Sequence, residues 1–186
     1  MTKVLIVTGS VRPNSVNGKV VELVRGAVEA QSGAEARVAD LGEINLPFYN
    51  GATPPSVDDF EAGNEAARNW SELVKAADAV VLVSPEYNHG LSGIQKNAID
   101  WLYHEWTDKP VLFVAYGWYA GEHSLAQLQE ISTVIKWKAL ESSVGLKFTQ
   151  DIDLDGNVLD ENVSQLLAES MTKLVTAASP GSVSVA

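Results

Sequence analysis

The chain has 186 residues and no cysteine, which excludes disulfides, thiolate catalysis, iron–sulfur ligation and most structural zinc sites together. Only His, Asp and Glu remain as metal ligands. Positive charge is also scarce, with 13 Lys and Arg against 24 Asp and Glu and a net charge of −11. Tracking nucleic-acid phosphates or binding an anionic membrane needs a basic face, which this balance argues against. Long apolar runs are missing too. Residues 4–7 are too short for a signal-peptide core, and residues 111–120, broken by Gly117, are too short to span a bilayer. The expectation is a cytoplasmic protein with no nucleic-acid or membrane partner, whose ligands are small molecules or basic protein surfaces. At this length one domain can close its own core without staples. Its expected span is 1–178, with 179–186 as a flexible tail.

What the sequence does contain is a regular alternation of elements. Val4, Leu5, Ile6 and Val7 are continuously apolar and end at Gly9-Ser10, as in a strand buried on both faces. Val20, Leu23, Val24, Ala27 and Val28 then fall at helical spacing, and Ser32-Gly33 supplies the stop. The pattern predicts a second strand over 36–41, a long Pro- and Gly-rich loop over 45–56, a helix over 57–77 and a buried strand over 79–83. A helix follows through Ile94, Ala98, Trp101 and Leu102, with Ser92 and Gln95 spaced as a capping box. Strands over 111–116 and 144–149 flank a helix marked by Leu125, Leu128, Ile131 and Ile135, and a last helix runs through Val163, Leu167, Met171 and Leu174. Five strands alternating with helices predict an α/β, flavodoxin-like, doubly wound five-stranded parallel sheet of order 2-1-3-4-5, with helices on both faces. Ligands of such sheets bind beyond the carboxyl ends of the strands, at the switch point between strands one and three. Residues 9–15 and 85–90 should face that crevice.

The first of these segments reads Gly9-Ser10-Val11-Arg12-Pro13-Asn14-Ser15-Val16-Asn17. It is neither a P-loop, since Asn14 and Ser15 stand where Gly-Lys would, nor a three-glycine dinucleotide fingerprint. Hydroxyl and amide side chains with one arginine at a helix start still suit a phosphate: backbone N–H groups point at the anion and Arg12 can fork onto its oxygens. Turn and cap roles for Ser10, Asn14 and Ser15 are the plainer alternative. The second segment, Pro85-Glu86-Tyr87-Asn88-His89-Gly90, delivers an aromatic, an amide and a glycine to the same place. Tyr87 can flank a planar ring, Asn88 can read its edge, and Gly90 can let backbone N–H groups approach.

Gly-Ser-x-Arg-x-x-Ser after strand one, and Pro-Glu-Tyr-Asn with Lys-Asn-Ala-Ile-Asp-Trp after strand three, resemble the NADPH-dependent FMN reductases, the flavodoxin-like quinone, azo and chromate reductases. The resemblance extends to Leu46-Pro47-Phe48-Tyr49 and to the Asp153-Leu154-Asp155-Gly156 turn. It implies that Ser10, Arg12, Ser15 and Asn17, with Val16, hold an FMN phosphate, while Pro85, Glu86, Tyr87, Asn88, His89 and Gly90 border the isoalloxazine. Tyr116 and Gly117 open the family's third loop, here Tyr116-Gly117-Trp118-Tyr119-Ala120-Gly121-Glu122. That loop departs from the usual small-residue pattern, which bears on the nicotinamide and acceptor pocket more than on FMN. No catalytic side chain and no metal is expected, because the flavin carries the chemistry.

The implied activity is ping-pong transfer of hydride from NADPH or NADH through FMN to a quinone, free flavin, azo compound or metal oxyanion. A homodimer or homotetramer is implied as well, and it would account for Trp101, Tyr103, Trp106, Trp118 and Tyr119, an aromatic excess for one small core. The alternative is a flavodoxin-like FMN electron carrier without nicotinamide activity, against which stands the absence of its Thr/Ser-x-Thr-Gly-x-Thr loop. A phospho-accepting receiver domain lacks its acidic residues at Gly9-Ser10 and Ser84. Asp151 to Gly156 imitates the start of a calcium loop, but Asn162 stands where the twelfth-position Glu belongs. His104 and His123 have no partner at ligand spacing and read as surface or capping residues.

Overall fold

The computed structural model describes residues 1–179; the expected tail therefore lies, from residue 180 onward, outside the described residues. Five parallel ladders fix the architecture. Strand β1 (Thr2–Val7) pairs on one side with β2 (Ala34–Ala39) and on the other with β3 (Ala79–Pro85), and β3 pairs with β4 (Pro110–Gly117). The far position is filled by two short strands, β5 (Lys138–Ala139) and β6 (Val144–Lys147), which pair with opposite ends of β4. The order is β2-β1-β3-β4-β5, with β6 also on β4, which is the expected flavodoxin-like topology.

Period-two alternation in the strands builds a core on each face. Val4, Ile6, Val81, Val83, Leu112 and Val114 point to one side, against α1 (Asn17–Glu29) and α6 (Asn162–Ala178). Leu5, Val7, Val80, Leu82, Val111 and Phe113 point to the other, against α3 (Glu65–Lys75), α4 (Gly93–Asp100) and α5 (Glu122–Ile135). This second core takes Trp70, Trp101, Trp106 and Trp137, at most 5% exposed. Each indole N–H finds an acceptor, Trp70 on Ala98 O, Trp101 on Pro47 O, Trp106 on Ile99 O and Trp137 on Ser132 Oγ, so burial strands no donor. The expectation that one small core cannot bury Trp101 and Trp106 is thereby corrected.

Local chemistry explains the boundaries that periodicity misplaces. The second strand ends two residues early because the Asp40 carboxylate accepts from Gly42 N at 2.8 Å and starts the short helix α2 (Leu41–Ile44). The third helix starts at residue 65 rather than 57 because the Asn64 side chain caps it, accepting from Ala67 N at 2.8 Å, while turns occupy the preceding residues. The capping box at the start of α4 is half formed. Ser92 Oγ accepts from Gln95 N, but the Gln95 side chain is buried against Ser84 Oγ and Val83 O instead of reaching back. The Leu46-to-Tyr49 segment is clamped by the Lys-Asn-Ala-Ile-Asp-Trp helix: Asn97 donates to Pro47 O and accepts from Tyr49 N, and Trp101 Nε1 donates to Pro47 O at 2.8 Å.

Two glycines permit the chain crossings at the carboxyl edge. A Cβ on Gly9 would lie 2.3 Å from Val83 O and 2.6 Å from Pro85 Cδ, and one on Gly121, at φ +70°, would lie 2.4 Å from Ala115 Cβ. The neighbours of Gly9 are backbone and a rigid ring, so neither can give way. Gly9→Ala is predicted to destabilise the fold by about 1–3 kcal/mol through overpacking; a urea-unfolding midpoint equal to that of the parent would contradict this.

Candidate cofactor site

Four connections meet beyond the carboxyl ends of the strands: residues 8–16, 86–92, 118–121 and 148–161. They enclose an open cleft of about 470 Å³. Arg12, Asn14, Ser15 and Val16 line one end of it, residues 85–89 one wall, and Tyr116 to Tyr119 with Phe148 and Leu154 the rest. Of the sequence-derived candidates, Arg12, Ser15, Val16, Pro85, Glu86, Tyr87, Asn88, His89, Tyr116 and Gly117 lie on this lining. Ser10, Asn17 and Gly90 do not line it.

The Arg12 end is built for an anion. Helix α1 begins with Val16 at its N-cap, a residue with no capping oxygen, and has no acidic residue in its first turn. Its positive end is therefore left for a ligand. Arg12 has no carboxylate partner among the described residues; its guanidinium carbon sits 5.7 Å from the centre of the Tyr87 ring. Asn14, at φ +58°, turns the loop, and Ser15 Oγ accepts from Asn17 N. Ser10 Oγ lies 2.5 Å from Tyr87 Oη, which joins the two motif segments directly. Asn17 is 2% exposed and works within the fold, accepting from Gly9 N and donating to Val83 O.

Tyr116 adds a donor. Burial pushes its phenol up to about 12, against the opposing pull of the Ser15 and Asn17 side chains, so it carries its proton at neutral pH. The residue is 3% exposed, and among the described residues its Oη completes no hydrogen bond, the Ser15 and Asn17 side chains standing near it without closing one. A buried hydroxyl without a partner costs about 1–3 kcal/mol, and a ligand oxygen would relieve it.

The wall at residues 85–90 is a tight turn. Glu86 and Leu91 form an antiparallel bridge, Tyr87 N donates to Gly90 O at 3.0 Å, and the two residues between them, Asn88 and His89, have φ of +51° and +60°. Positive φ is uncommon outside glycine, though Asn and His tolerate it better than most. Gly90 is not at positive φ and faces the Gln127 side chain, so the strained positions are 88 and 89. Among the described residues no acceptor meets the N–H groups of Asn88, His89 or Gly90. These are turn N–H groups and not part of a helix terminus, since α4 starts only at Gly93 with Ser92 as its cap.

Helix α5 braces this turn. Ser124 Oγ donates to Pro85 O and Gly90 O, and Gln127 Oε1 accepts from Leu91 N. Glu86, its side chain 6% exposed, accepts from His123 N at 3.0 Å and faces His123 Nδ1 at 3.2 Å. His123 is thus not a partnerless surface residue. It reaches the cleft wall from a position 37 residues from Glu86, and only its place just after a β4–α5 loop at the carboxyl edge could have pointed to it. Phe148 and Leu154 were also missed. Phe148 packs edge-on against Tyr116 and Trp118, while Leu154 belongs to a turn whose Gly156, at φ +84°, would carry a Cβ 2.6 Å from Lys19 Cβ on α1. The Asp153 carboxylate of that turn accepts from the Asn157 side-chain amide, from Asn157 N and from Asp155 N, which holds it below the usual carboxylate range and engages it in the turn.

Among the described residues no helix is long and apolar enough to cross a membrane. Residues 2–151 match the model of the family described as NADPH-dependent FMN reductase. A protein of Saccharomyces cerevisiae named NAD(P)H-dependent FMN reductase is 37% identical over 89% of this chain and 95% of its own length. A rice protein named probable NADPH:quinone oxidoreductase is 31% identical over 92% of this chain and 86% of its own length. Among solved structures, the flavoenzyme NAD(P)H:(acceptor) oxidoreductase of Paracoccus denitrificans superposes with a TM-score of 0.76 at 23% identity, covering 96% of this chain and 97% of that one, a likeness of fold. On the family match and these relatives, the chain belongs to the NADPH-dependent FMN reductase family.

Proposed function

We propose that this chain, an FMN-dependent NAD(P)H oxidoreductase, works by a ping-pong route in which a reduced nicotinamide and a small acceptor use the same face of the cleft in turn. The observation that carries the reading is the pairing of an anion end with a ring slot in one cleft. Among the described residues, Arg12 pairs with no carboxylate, the α1 N-cap Val16 offers no side-chain acceptor, and the Tyr116 hydroxyl has no partner; these face a wall whose Asn88, His89 and Gly90 N–H groups meet no acceptor. Bound FMN would supply two-electron transfer between nicotinamide and acceptor. Arg12, Ser15 and the first turn of α1 would hold its phosphate, Tyr116 would donate to an oxygen near that end, and Tyr87 would flank the ring. The N–H groups of Asn88 to Gly90 offer fixed dipoles to a ring that gains negative charge on reduction. Glu86 is engaged by His123, which favours a positioning role over general-base catalysis.

Quinones, free flavins, azo compounds and metal oxyanions are all small enough to follow the nicotinamide into an open cleft. Trp118 and Tyr119, 58% and 56% exposed beside it, give the acceptor side an aromatic wall in place of a small-residue loop. Exposed as they are, they also support a homodimer or homotetramer in which a second copy covers this rim. We place the protein in the cytoplasm, a reading that rests on its lack of cysteine and of long apolar runs.

Arg12→Ala should leave the fold intact and weaken FMN binding by about 10- to 150-fold, the equivalent of one charge-assisted hydrogen bond; an unchanged Kd in a fluorescence titration would refute the phosphate assignment. Tyr116→Phe removes only the partnerless hydroxyl, so a loss of about 2- to 10-fold in FMN affinity is expected with no drop in thermal stability. Initial velocities measured against both substrates should give parallel reciprocal plots, and intersecting lines would exclude the ping-pong order.

A further inference from the structure

We infer that Glu86, His89 and His123 form a site for a divalent transition-metal ion that prefers imidazole, with Zn²⁺ as the type, at the mouth of the cleft. One ligating atom from each residue lies within 4.8 Å of those of the other two. Two elements supply them, the strained turn after β3 and the first turn of α5. The proposal does not depend on what fills the cleft.

Much of the site is already assembled. One oxygen of Glu86 is fixed by the His123 backbone N–H at 3.0 Å, which leaves the other facing the His123 ring at 3.2 Å. The His89 and His123 rings lie 4.1 Å apart and 17° from parallel, and the Tyr119 ring meets the edge of both. His123 is therefore held in place before any ion arrives. Tetrahedral bonds of about 2.0–2.2 Å put ligand atoms roughly 3.3–3.5 Å apart, so the group must close by a little over an ångström. His89 is exposed at the tip of the turn and is free to swing. The left-handed backbone at Asn88 and His89 is what aims the ring back toward α5.

The donor set names the class of ion. Two imidazoles and one carboxylate suit Zn²⁺, Ni²⁺ or Cu²⁺, whereas Mg²⁺ and Ca²⁺ require shells built from oxygen. Three protein ligands leave at least one position open toward the cleft. The charge around the site favours a cation: no Lys or Arg pairs with Glu86 among the described residues, and the exposed Glu122 carboxylate stands 3.8 Å from His123 Nδ1. Occupancy would lock the turn bearing the free N–H groups onto α5.

The test is isothermal titration of Zn²⁺ into the full chain, purified without a histidine tag. Saturation at one equivalent is expected, unaffected by millimolar Mg²⁺. His89→Asn keeps a residue that tolerates the left-handed backbone and removes the imidazole. It should weaken binding by about 10-fold or more, as should His123→Asn, each variant being checked for its fold by circular dichroism. His104→Asn, which alters the exposed histidine beside Asp58, should leave the titration unchanged. No saturable Zn²⁺ binding to the parent chain would overturn the inference, as would full binding retained by folded His89→Asn.

Discussion

Everything at the cleft depends on how closely β1 and β3 approach at their carboxyl ends. Gly9 lies so near Val83 and Pro85 that no side chain fits between them, and the buried Asn17 amide ties Gly9 N to Val83 O. This contact puts the loop after β1 and the turn after β3 against each other, and the Ser10–Tyr87 hydrogen bond closes the join. A parallel sheet of order β2-β1-β3 must diverge its connections here, one to each face, which opens a crevice. The Arg12 loop and the turn at residues 86–90, which we propose hold the phosphate and the ring of FMN, are the two lips of that crevice.

The polar groups divide accordingly. Asn17, Gln95, Asn97 and Ser124 are buried and satisfied, and they hold the loops in place. Among the described residues, the Arg12 guanidinium pairs with no carboxylate, and the Tyr116 hydroxyl and the N–H groups of Asn88 to Gly90 meet no hydrogen-bond partner. Leaving them so has a stability cost that the two cores must cover, and a bound ligand offsets it. Left-handed backbone at Asn88 and His89 adds strain at the same wall, the kind that survives where the surroundings over-determine it. Here the Ser124 and Gln127 bonds from α5 do so.

The sequence carried more of the fold than of the site. Strands such as Val4 to Val7 and Ala79 to Val83 are legible because burial on both faces leaves a continuous apolar run, and the sheet order follows from their number and alternation. Boundaries set by one polar side chain were not: Asp40 and Asn64 decide where β2 ends and α3 begins, and periodicity does not weigh a single cap. The edge of the sheet broke into β5 and β6 because two short pairings with β4 replace one long one. At the site, contiguous motifs were readable and cross-chain contacts were not. Phe148 and Leu154 come from the connection before α6 and His123 from the first turn of α5, and no local spacing encodes such a meeting. The two family motifs also proved to have different jobs, since Asn97 and Trp101 of the second clamp the long loop and do not line the cleft.

The central claim is that this cleft lets a reduced nicotinamide pass two electrons to FMN. Anaerobic mixing of the FMN-loaded protein with NADPH, and separately with NADH, while following the visible flavin absorbance, tests it most directly. Rapid bleaching by at least one nucleotide is the predicted result. A flavin that binds at this site and stays oxidised with both would contradict the account and point to an electron carrier.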